Sequence, residues 1–188
     1  MSEIVSFTNL LPSLVKGFDD TNGEGVLKAL YPTKTPHLAL GLKDGVFTDF
    51  IIYHFDRTPL PNGEVYTIAV FDVIFTTRSN AFVKNGEIDG LERLFWWVLR
   101  KIVAVGSDRV EVVLKRAPGE TLEIEHFLDG LGFSQKKVVE GFYRNRCLKY
   151  GYRCRQCGES VDICEAVFYT MEGRTAKLLT RMTDFNNF

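Results

Sequence analysis

The sequence predicts an α/β (α+β) fold built on a mixed, mostly antiparallel sheet of about seven strands, with helices on both faces. The first observation is a long β-rich run from Glu64 to Phe75. The second is the change to helical spacing that follows it, with apolar residues recurring from Leu91 to Val103. The third is the alternating segment Arg109 to Leu114, which follows Gly106 and has the period of a strand. Two strands joined by a helix are parallel with a right-handed crossover, so this βαβ unit predicts one parallel pair within the sheet.

The N-terminal part of the chain predicts one strand, two short helices and a hairpin. Met1 to Phe7 is a candidate first strand, and Leu10 to Phe18 and Gly25 to Leu30 have the pattern of short helices. The segment LALGLKDGVFTDFIIYHF predicts two antiparallel strands that turn at Lys43-Asp44-Gly45, because an Asp-Gly pair favours a hairpin turn. The segment RTPLPNG then breaks the pattern before Glu64.

The C-terminal part predicts a second helix, two strands and a terminal helix. An apolar stripe from Ile124 to Leu131 indicates the helix, and Gly132 is placed to end it. The strands are predicted over Lys137 to Tyr143 and Val161 to Tyr169. Ala176 to Phe188 has the pattern of a helix, so residues 170–188 are expected to be an appended helical tail of a single domain over residues 1–188.

The composition describes an ordinary soluble domain. The chain has 188 residues, of which 45% are hydrophobic and 25% charged, with a formal net charge of −1. This charge excludes a protein whose whole surface is built for nucleic acid, although it allows a local basic patch. The first residues lack a basic leader, and no run reaches the roughly 18 apolar residues of a membrane span. We therefore expect a cytoplasmic protein with no membrane partner.

The order of elements up to about Tyr169 resembles the GNAT superfamily of acyl-CoA-dependent N-acyltransferases. The local similarity lies in HFLDGLGF, which follows Glu125, and in GLERLFWWVLRKIVAVG followed by RVEVVL. The resemblance implies that an acceptor amine, on a small molecule or a peptide, attacks the thioester of acetyl-CoA between the two parallel strands. Backbone amides there would stabilise the developing oxyanion.

The resemblance also implies a set of residues that hold the CoA. The family's pyrophosphate loop, Gln/Arg-x-x-Gly-x-Gly/Ala, falls on the segment that ends at Gly90, with Asn85 at its first position and Ile88 where another glycine belongs. The remaining candidates are the strand residues Val73 and Phe75, the loop residues Arg78, Lys84 and Gly86, and Thr121, where the family often has Asn.

An alternative interpretation of the same helix start is a capping box formed by Asp89 and Glu92. These carboxylates would occupy the amides that a phosphate needs. They would also repel a phosphate by about 2–3 kcal/mol per charge pair at about 6 Å and an effective dielectric near 20. We favour the capped helix and leave the phosphate site open, because Arg78 and Lys84 can offset part of the repulsion.

Candidate acid–base residues follow from the same comparison. The family's tyrosine general acid falls on Leu128, which has no proton to donate, so Tyr143 is the candidate substitute; the alternative is that it packs on the sheet. Asp72, in the strand beside the expected acceptor site, and Glu64, at the start of that strand, are candidate general bases. An ionised Asp72 inside a buried strand would need a partner. The alternative is that Asp72 faces solvent on the outer side of the strand, where it would need none. His54 and His126 are interpreted as structural.

The four cysteines allow three chemistries. Cys147 and Cys164, and Cys154 and Cys157, are symmetric about one turn, so opposed pairs lie within disulfide range in a hairpin. Cys154 and Cys157 have the spacing of a zinc knuckle, but a knuckle alone supplies two ligands, so zinc is not favoured. Free thiols are the third alternative.

The segment from Tyr143 to Arg155 interleaves aromatic and basic residues. Such a pattern suits an anionic partner, including single-stranded nucleic acid or an acidic acceptor. The alternative function is therefore a non-catalytic binding module of the same fold that uses this hairpin for nucleic acid or protein, and a solvated strand pair is the simplest reading.

Overall fold

The computed structural model describes residues 3–6, 37–43, 46–76, 90–142 and 165–182. These residues form seven strands and three helices. In chain order they are β1 (Glu3–Ser6), β2 (His37–Lys43), β3 (Val46–Pro59), β4 (Val65–Thr76), α1 (Gly90–Val105), β5 (Arg109–Arg116), α2 (Glu123–Gly130), β6 (Ser134–Glu140), β7 (Glu165–Glu172) and α3 (Gly173–Met182).

The strands form one mixed sheet in the order β1-β2-β3-β4-β5-β7-β6. Strands β4 and β5 are parallel, and the other neighbouring pairs in the described sheet are antiparallel. Helix α1 connects the parallel pair, because a parallel connection must cross from one end of the sheet to the other. The mixed sheet and its βαβ unit are confirmed.

The core lies on one face of the sheet, which all three described helices cover. Register places the core strand residues side by side, since Ala39 pairs with Ile51 and Ala69 pairs with Val110. The same cluster contains Phe95 of α1 and Leu128 of α2, both 0% exposed. The helices predicted at Leu10 to Phe18 and Gly25 to Leu30 lie outside the described residues.

Helix α1 forms because its apolar residues recur along one broad face. Its fully buried positions are Leu91, Leu94, Phe95, Val98, Leu99 and Ile102. Gly106 follows the helix with φ of 87°, a conformation that favours glycine, and its N–H bonds to the Val103 carbonyl at 3.1 Å. The predicted helix and its glycine stop are confirmed.

Helix α2 ends at the glycine that the sequence indicates. Gly132 has φ of 84°, its N–H donates to the Asp129 carbonyl at 2.9 Å, and the Phe133 N–H donates to Leu128 at 3.0 Å. These two bonds make a Schellman turn. The turn delivers the chain directly into β6 at Ser134, so the predicted start at Lys137 is too late. Gly141, with φ of 62°, follows the strand, so its predicted end is also too late.

Two other boundaries are corrected by strand pairing. Strand β3 extends to Pro59, inside the predicted break, because Pro59 still pairs with Val65. Strand β7 runs to Glu172, since it pairs along the whole of β5, so residues 170–172 belong to the sheet and not to the tail. Residues 161–164, predicted as part of that strand, lie outside the described residues.

Helix α3 is part of the core and not an appended tail. Ala176 is 0% exposed and belongs to the same apolar cluster as α1. Gly173 permits the approach, since a Cβ there would lie 1.9 Å from the Ser107 carbonyl oxygen. Among the helices that the structure describes, none is long and apolar enough to cross a membrane.

Candidate active site

The parallel strands β4 and β5 separate partway along their length. They pair from Ile68 with Arg109 to Phe71 with Val112. Beyond that rung β4 continues against β3 to Thr76, and β5 continues against β7 to Arg116. We call the point after the Phe71–Val112 rung the fork.

Asp72 occupies a β-bulge at the fork. Ile52 of β3 pairs with Val73, whereas the next residue, Tyr53, pairs with Phe71, so Asp72 is the extra residue in β4. A bulge leaves its residue outside the ladder and redirects its side chain. The candidate base therefore stands next to the last rung of the parallel pair.

The Asp72 carboxylate has a buried partner in His54. Nδ1 of the ring is hydrogen-bonded to Oδ2 of Asp72, and Nε2 lies 3.3 Å from Oδ1 of Asp56. Side-chain exposure rises along this series, from 5% for His54 to 23% for Asp72 and 42% for Asp56. The expectation that a carboxylate in this strand needs a partner is met by a histidine that sequence reasoning interpreted only as structural.

The core face beneath the fork is filled by aromatic rings. Phe71, on the last rung, stacks on Phe95 of α1 with ring centroids 4.9 Å apart. Phe127 and Phe133 meet Phe95 edge-on at 5.3 and 6.2 Å. His54 follows the core residue Tyr53 and therefore points to the other face, and Asp72, which is hydrogen-bonded to His54, lies on that face as well.

The start of helix α1 carries a buried acid. Glu92, in the first turn, is 8% exposed, and its Oε1 accepts the indole N–H of Trp96 at 3.4 Å. Gly90 is the first helical residue. Asp89 lies outside the described residues, so the capping box stays a prediction.

On the β5 side of the fork, Glu125 of α2 is held in a buried network. Arg116 Nη1 donates to its two carboxylate oxygens at 3.0 and 2.8 Å, and Arg116 Nε donates to Glu165 at 3.0 Å. The Tyr169 hydroxyl donates to Glu125 at 2.8 Å, and the Leu122 amide donates at 2.9 Å. The Leu122 bond is the carboxylate half of a capping box.

The ionisation of this network follows from burial opposed by hydrogen bonds. Burial alone would raise the pKa of Glu125, but the Leu122 amide, the Tyr169 hydroxyl and Arg116 lower it overall. Burial would lower the pKa of Arg116, yet its bonds to Glu165 and Glu125 raise it. Burial, together with the bond to Glu125, raises the pKa of Tyr169. The network thus favours the charged forms of the Glu125 carboxylate and the Arg116 guanidinium.

Other predicted site residues are distributed more widely. Glu64 lies in the exposed turn before β4, where it bonds to Asn62 at 2.8 Å, so the structure does not bring it to the fork. Val73 follows the bulge, whereas Thr121 is exposed ahead of α2. Leu128 is 0% exposed in the core.

Several candidates lie outside the described residues. They are Tyr143, Arg78, Lys84, Asn85, Gly86 and the four cysteines Cys147, Cys154, Cys157 and Cys164. The backbone of Phe75 is described and pairs with Phe50. Among the residues that are described, no group of three His, Cys, Asp or Glu side chains could hold a metal ion.

A surface cavity of about 480 Å³ lies at the other end of the sheet. Its walls come from the start of β4, the turn after α1 and the start of α3, including Tyr66, Asp108 and Lys177. It is therefore separate from the fork.

Comparison with solved structures identifies the fold. An IAA acetyltransferase from Bacillus cereus superposes with a TM-score of 0.57 at 12% identity, covering 92% of this chain and 98% of that one. A Bacillus subtilis acetyltransferase in complex with CoA gives 0.56 at 12% identity, covering 91% and 97%. Chaetomium thermophilum Naa20 in complex with a bisubstrate analogue gives 0.55 at 11% identity, covering 95% and 89%.

No protein-family model and no curated protein matches the sequence. At such low identity the likeness establishes architecture alone. Each of these superpositions covers more than nine-tenths of this chain. The chain therefore has the fold of the GNAT acetyltransferases.

Proposed function

We propose that the protein is an acyl-CoA-dependent N-acyltransferase that moves an acetyl group from the CoA thioester to an amine. The single observation that carries the proposal is the fork, where two parallel strands part directly beside a bulged carboxylate. The acetyltransferase fold of the structural neighbours supports it, and one of those neighbours is in complex with CoA.

The fork fits the amide-bearing arm of CoA. Strand edges that have parted expose backbone donors and acceptors, and an extended chain with amide groups can pair with such an edge as an added strand. The residues of β4 beyond the bulge, Val73 to Thr76, would hold this arm on one side. The facing residues of β5 would hold it on the other.

The chemistry at the fork requires an oxyanion site and a base. The amine nitrogen attacks the thioester carbonyl carbon, a C–N bond forms, and the C–S bond breaks to release the CoA thiolate. The bulge places backbone groups of Asp72 outside the ladder with β3, and an amide there would donate to the oxyanion. The Asp72 carboxylate would accept the proton that the amine loses.

The helix start is the less favourable part of the donor site. The Glu92 carboxylate is buried in the first turn of α1, where the helix dipole would otherwise favour a phosphate. Cations of the preceding segment, Arg78 and Lys84, would have to offset that charge. We therefore expect weaker CoA binding than a phosphate loop without a buried acid would give.

Two measurements test the proposal. Isothermal calorimetry with acetyl-CoA up to millimolar concentration should detect binding, and desulfo-CoA should compete for it. A thiol-release assay with peptides bearing α-amines, lysine peptides and small aromatic amines should then show turnover with at least one class. Absence of binding and turnover over this panel would contradict the proposal.

A binding module of the same fold is the second candidate. The burial of Leu128, where a general acid would otherwise stand, and of Glu92 favours it. The basic segment from Tyr143 to Arg155 would be its binding surface. Salt-dependent binding of a single-stranded oligonucleotide, lost when the arginines of this segment are changed to alanine, would support this candidate over the enzyme if acetyl-CoA does not bind.

A further inference from the structure

We propose that Asp72, His54 and Asp56 form a proton relay that carries the proton of the acceptor amine from the fork to solvent. This inference rests on the proposed acyl transfer and names how its proton leaves. The relay adds two residues, His54 and Asp56, to a site for which the sequence supplied only the carboxylate.

The first argument is connectivity. Both nitrogens of the His54 ring face a carboxylate, Nδ1 towards Asp72 and Nε2 towards Asp56 at 3.3 Å. A histidine that serves packing alone needs one hydrogen-bond partner to fix its ring, whereas a ring with an acidic partner at each nitrogen can accept a proton on one side and release one on the other.

The second argument is the direction of exposure. Asp72 lies at the fork, its partner ring is 5% exposed, and Asp56 at the far end is 42% exposed. The chain therefore runs from the reacting end of β4 through a buried imidazole to a carboxylate in contact with water. Asp56 pairs with Ile68, several residues from the fork, so it does not reach the substrate itself.

The third argument is rigidity. His54 pairs with Val70 and Asp72 follows on the bulge, so the two side chains are carried by adjacent strands of one sheet. Among the described residues, His37 on β2 interacts electrostatically with His54, and Glu111 on β5, which is paired with Arg109, lies opposite Val70 in the ladder. A relay built on strands keeps its donor and acceptor atoms within reach during each turnover.

The proton balance is simple. Asp72 accepts the proton that the amine nitrogen loses as the C–N bond forms, and passes it to Nδ1. Nε2 gives its proton to Asp56, which releases it to water while the substrate occupies the fork. After the product has left, Nδ1 returns its proton through Asp72, which is 23% exposed, to water, and Nε2 takes a proton from water through Asp56, which restores the starting tautomer. Two protons enter, one from the amine and one from water, and two leave to water, so the three groups end each turnover with their starting charge.

The test compares His54→Asn, Asp56→Asn and the control Glu140→Gln in the full-length protein. Asn at 54 can still hold Asp72 by one hydrogen bond but cannot carry a proton. We expect kcat to fall by about 100-fold or more in His54→Asn and by about 10-fold in Asp56→Asn, with the KM for acetyl-CoA unchanged. Glu140→Gln should be unchanged, since Glu140 is an exposed carboxylate at the end of the edge strand β6.

A second readout does not depend on activity. The chain has three histidines, and His126 is exposed, so nitrogen-15 spectra of the ring atoms have an internal reference. We expect the His54 ring protons to exchange with water more slowly than those of His126, and Asp56→Asn to change the Nε2 signal.

The outcomes separate the two proposals. Wild-type turnover that is unaffected in His54→Asn and Asp56→Asn would overturn the relay while the acyltransferase stands, and so would His54 ring protons that exchange as fast as those of His126. Absence of both binding and turnover in the wild type would overturn the acyltransferase and the relay together. If the His54 ring protons exchanged slowly in that case, Asp72, His54 and Asp56 would be a structural chain of ion pairs with no part in proton transfer.

Discussion

Replacing Arg116 with methionine should greatly lower the free energy of unfolding. Arg116 is the cation between Glu125, which is 3% exposed, and Glu165, which is 8% exposed. Removing one partner of a buried ion pair leaves uncompensated charge and costs about 3–5 kcal/mol. In a domain of this size we expect Tm to fall by about 2–4 °C for each kcal/mol lost.

A matched control is available on the same strand. Arg109 is also an arginine of β5 bonded to a glutamate, Glu111, at 2.8 Å, but 35% of its side chain is exposed. An ion pair that is partly open to solvent contributes less than a buried one, so Arg109→Met should cost less than Arg116→Met. Urea unfolding of both variants at pH 7 gives the comparison.

The pH dependence has a definite sign. The folded-state pKa of Glu125 is lowered, so its contribution is full above its unfolded value, near 4.3, and is lost as pH falls through the folded value. Removing Arg116 removes that contribution, so the difference in unfolding free energy between variant and wild type should stay constant from pH 7 to about 5 and narrow as pH falls below about 4.3. A cost for Arg116→Met within about 1 kcal/mol of Arg109→Met at pH 7 would refute the argument for a buried network.

Three further substitutions test the packing around the fork and at α3. Gly173→Ala should cost at least about 1–3 kcal/mol, because its Cβ would strike the Ser107 carbonyl, whereas Gly130→Ala, with no atom within 4 Å, should be near neutral in a thermal melt. Phe95→Ala should cost about 3–5 kcal/mol in urea unfolding, and a value below about 1 kcal/mol would contradict its place among three other rings. Leu128→Tyr should lower stability by about 1–3 kcal/mol and should not raise the acyl-transfer rate, because position 128 points into the core.

The parallel pair was predictable because its signals are local. Helix α1 is recognisable from sequence because its sixteen residues have one broad apolar face. Gly106 ends it where the spacing of apolar residues changes from that of a helix to that of a strand. Two neighbouring strands joined by a helix are parallel, and their connection is right-handed, so the crossover can be predicted once the helix is recognised. The Schellman turn at Gly132 was predictable for the same reason, since each of its bonds joins residues within one turn.

The partners at the fork were not predictable because they depend on register. The sequence shows a carboxylate at 72 and a histidine at 54, but their contact exists only because β4 carries one extra residue opposite Ile52 and Tyr53. Since side chains alternate between faces, a change of one residue in register decides which neighbours a residue meets. The alternation of His54 and Asp56 on β3 was the available signal that both belong to one face.

The buried network of Glu125 was missed for a related reason. Its four members come from α2, β5 and β7, and no pair is closer than four residues in sequence. Glu125 was noted only as the residue before HFLDGLGF. A glutamate in the first turn of a helix is usually a solvated partner of the dipole, and only the folded structure shows that this one is closed off by Arg116 and Tyr169.

The absence of a tyrosine at position 128 matters less than the presence of a base. A leaving thiol has a pKa near 8.5, so at pH 7.5 its protonation is worth only about 1.4 kcal/mol. A lysine amine has a pKa near 10.4, so at the same pH deprotonation costs about 4 kcal/mol, whereas an α-amine near 7.7–8.0 costs less than about 1 kcal/mol. In the proposed reaction the energetic demand therefore falls on the group that receives the amine proton, and Asp72, which is hydrogen-bonded to His54, would be that group. A buried leucine at position 128 would then cost the reaction only the smaller of the two contributions.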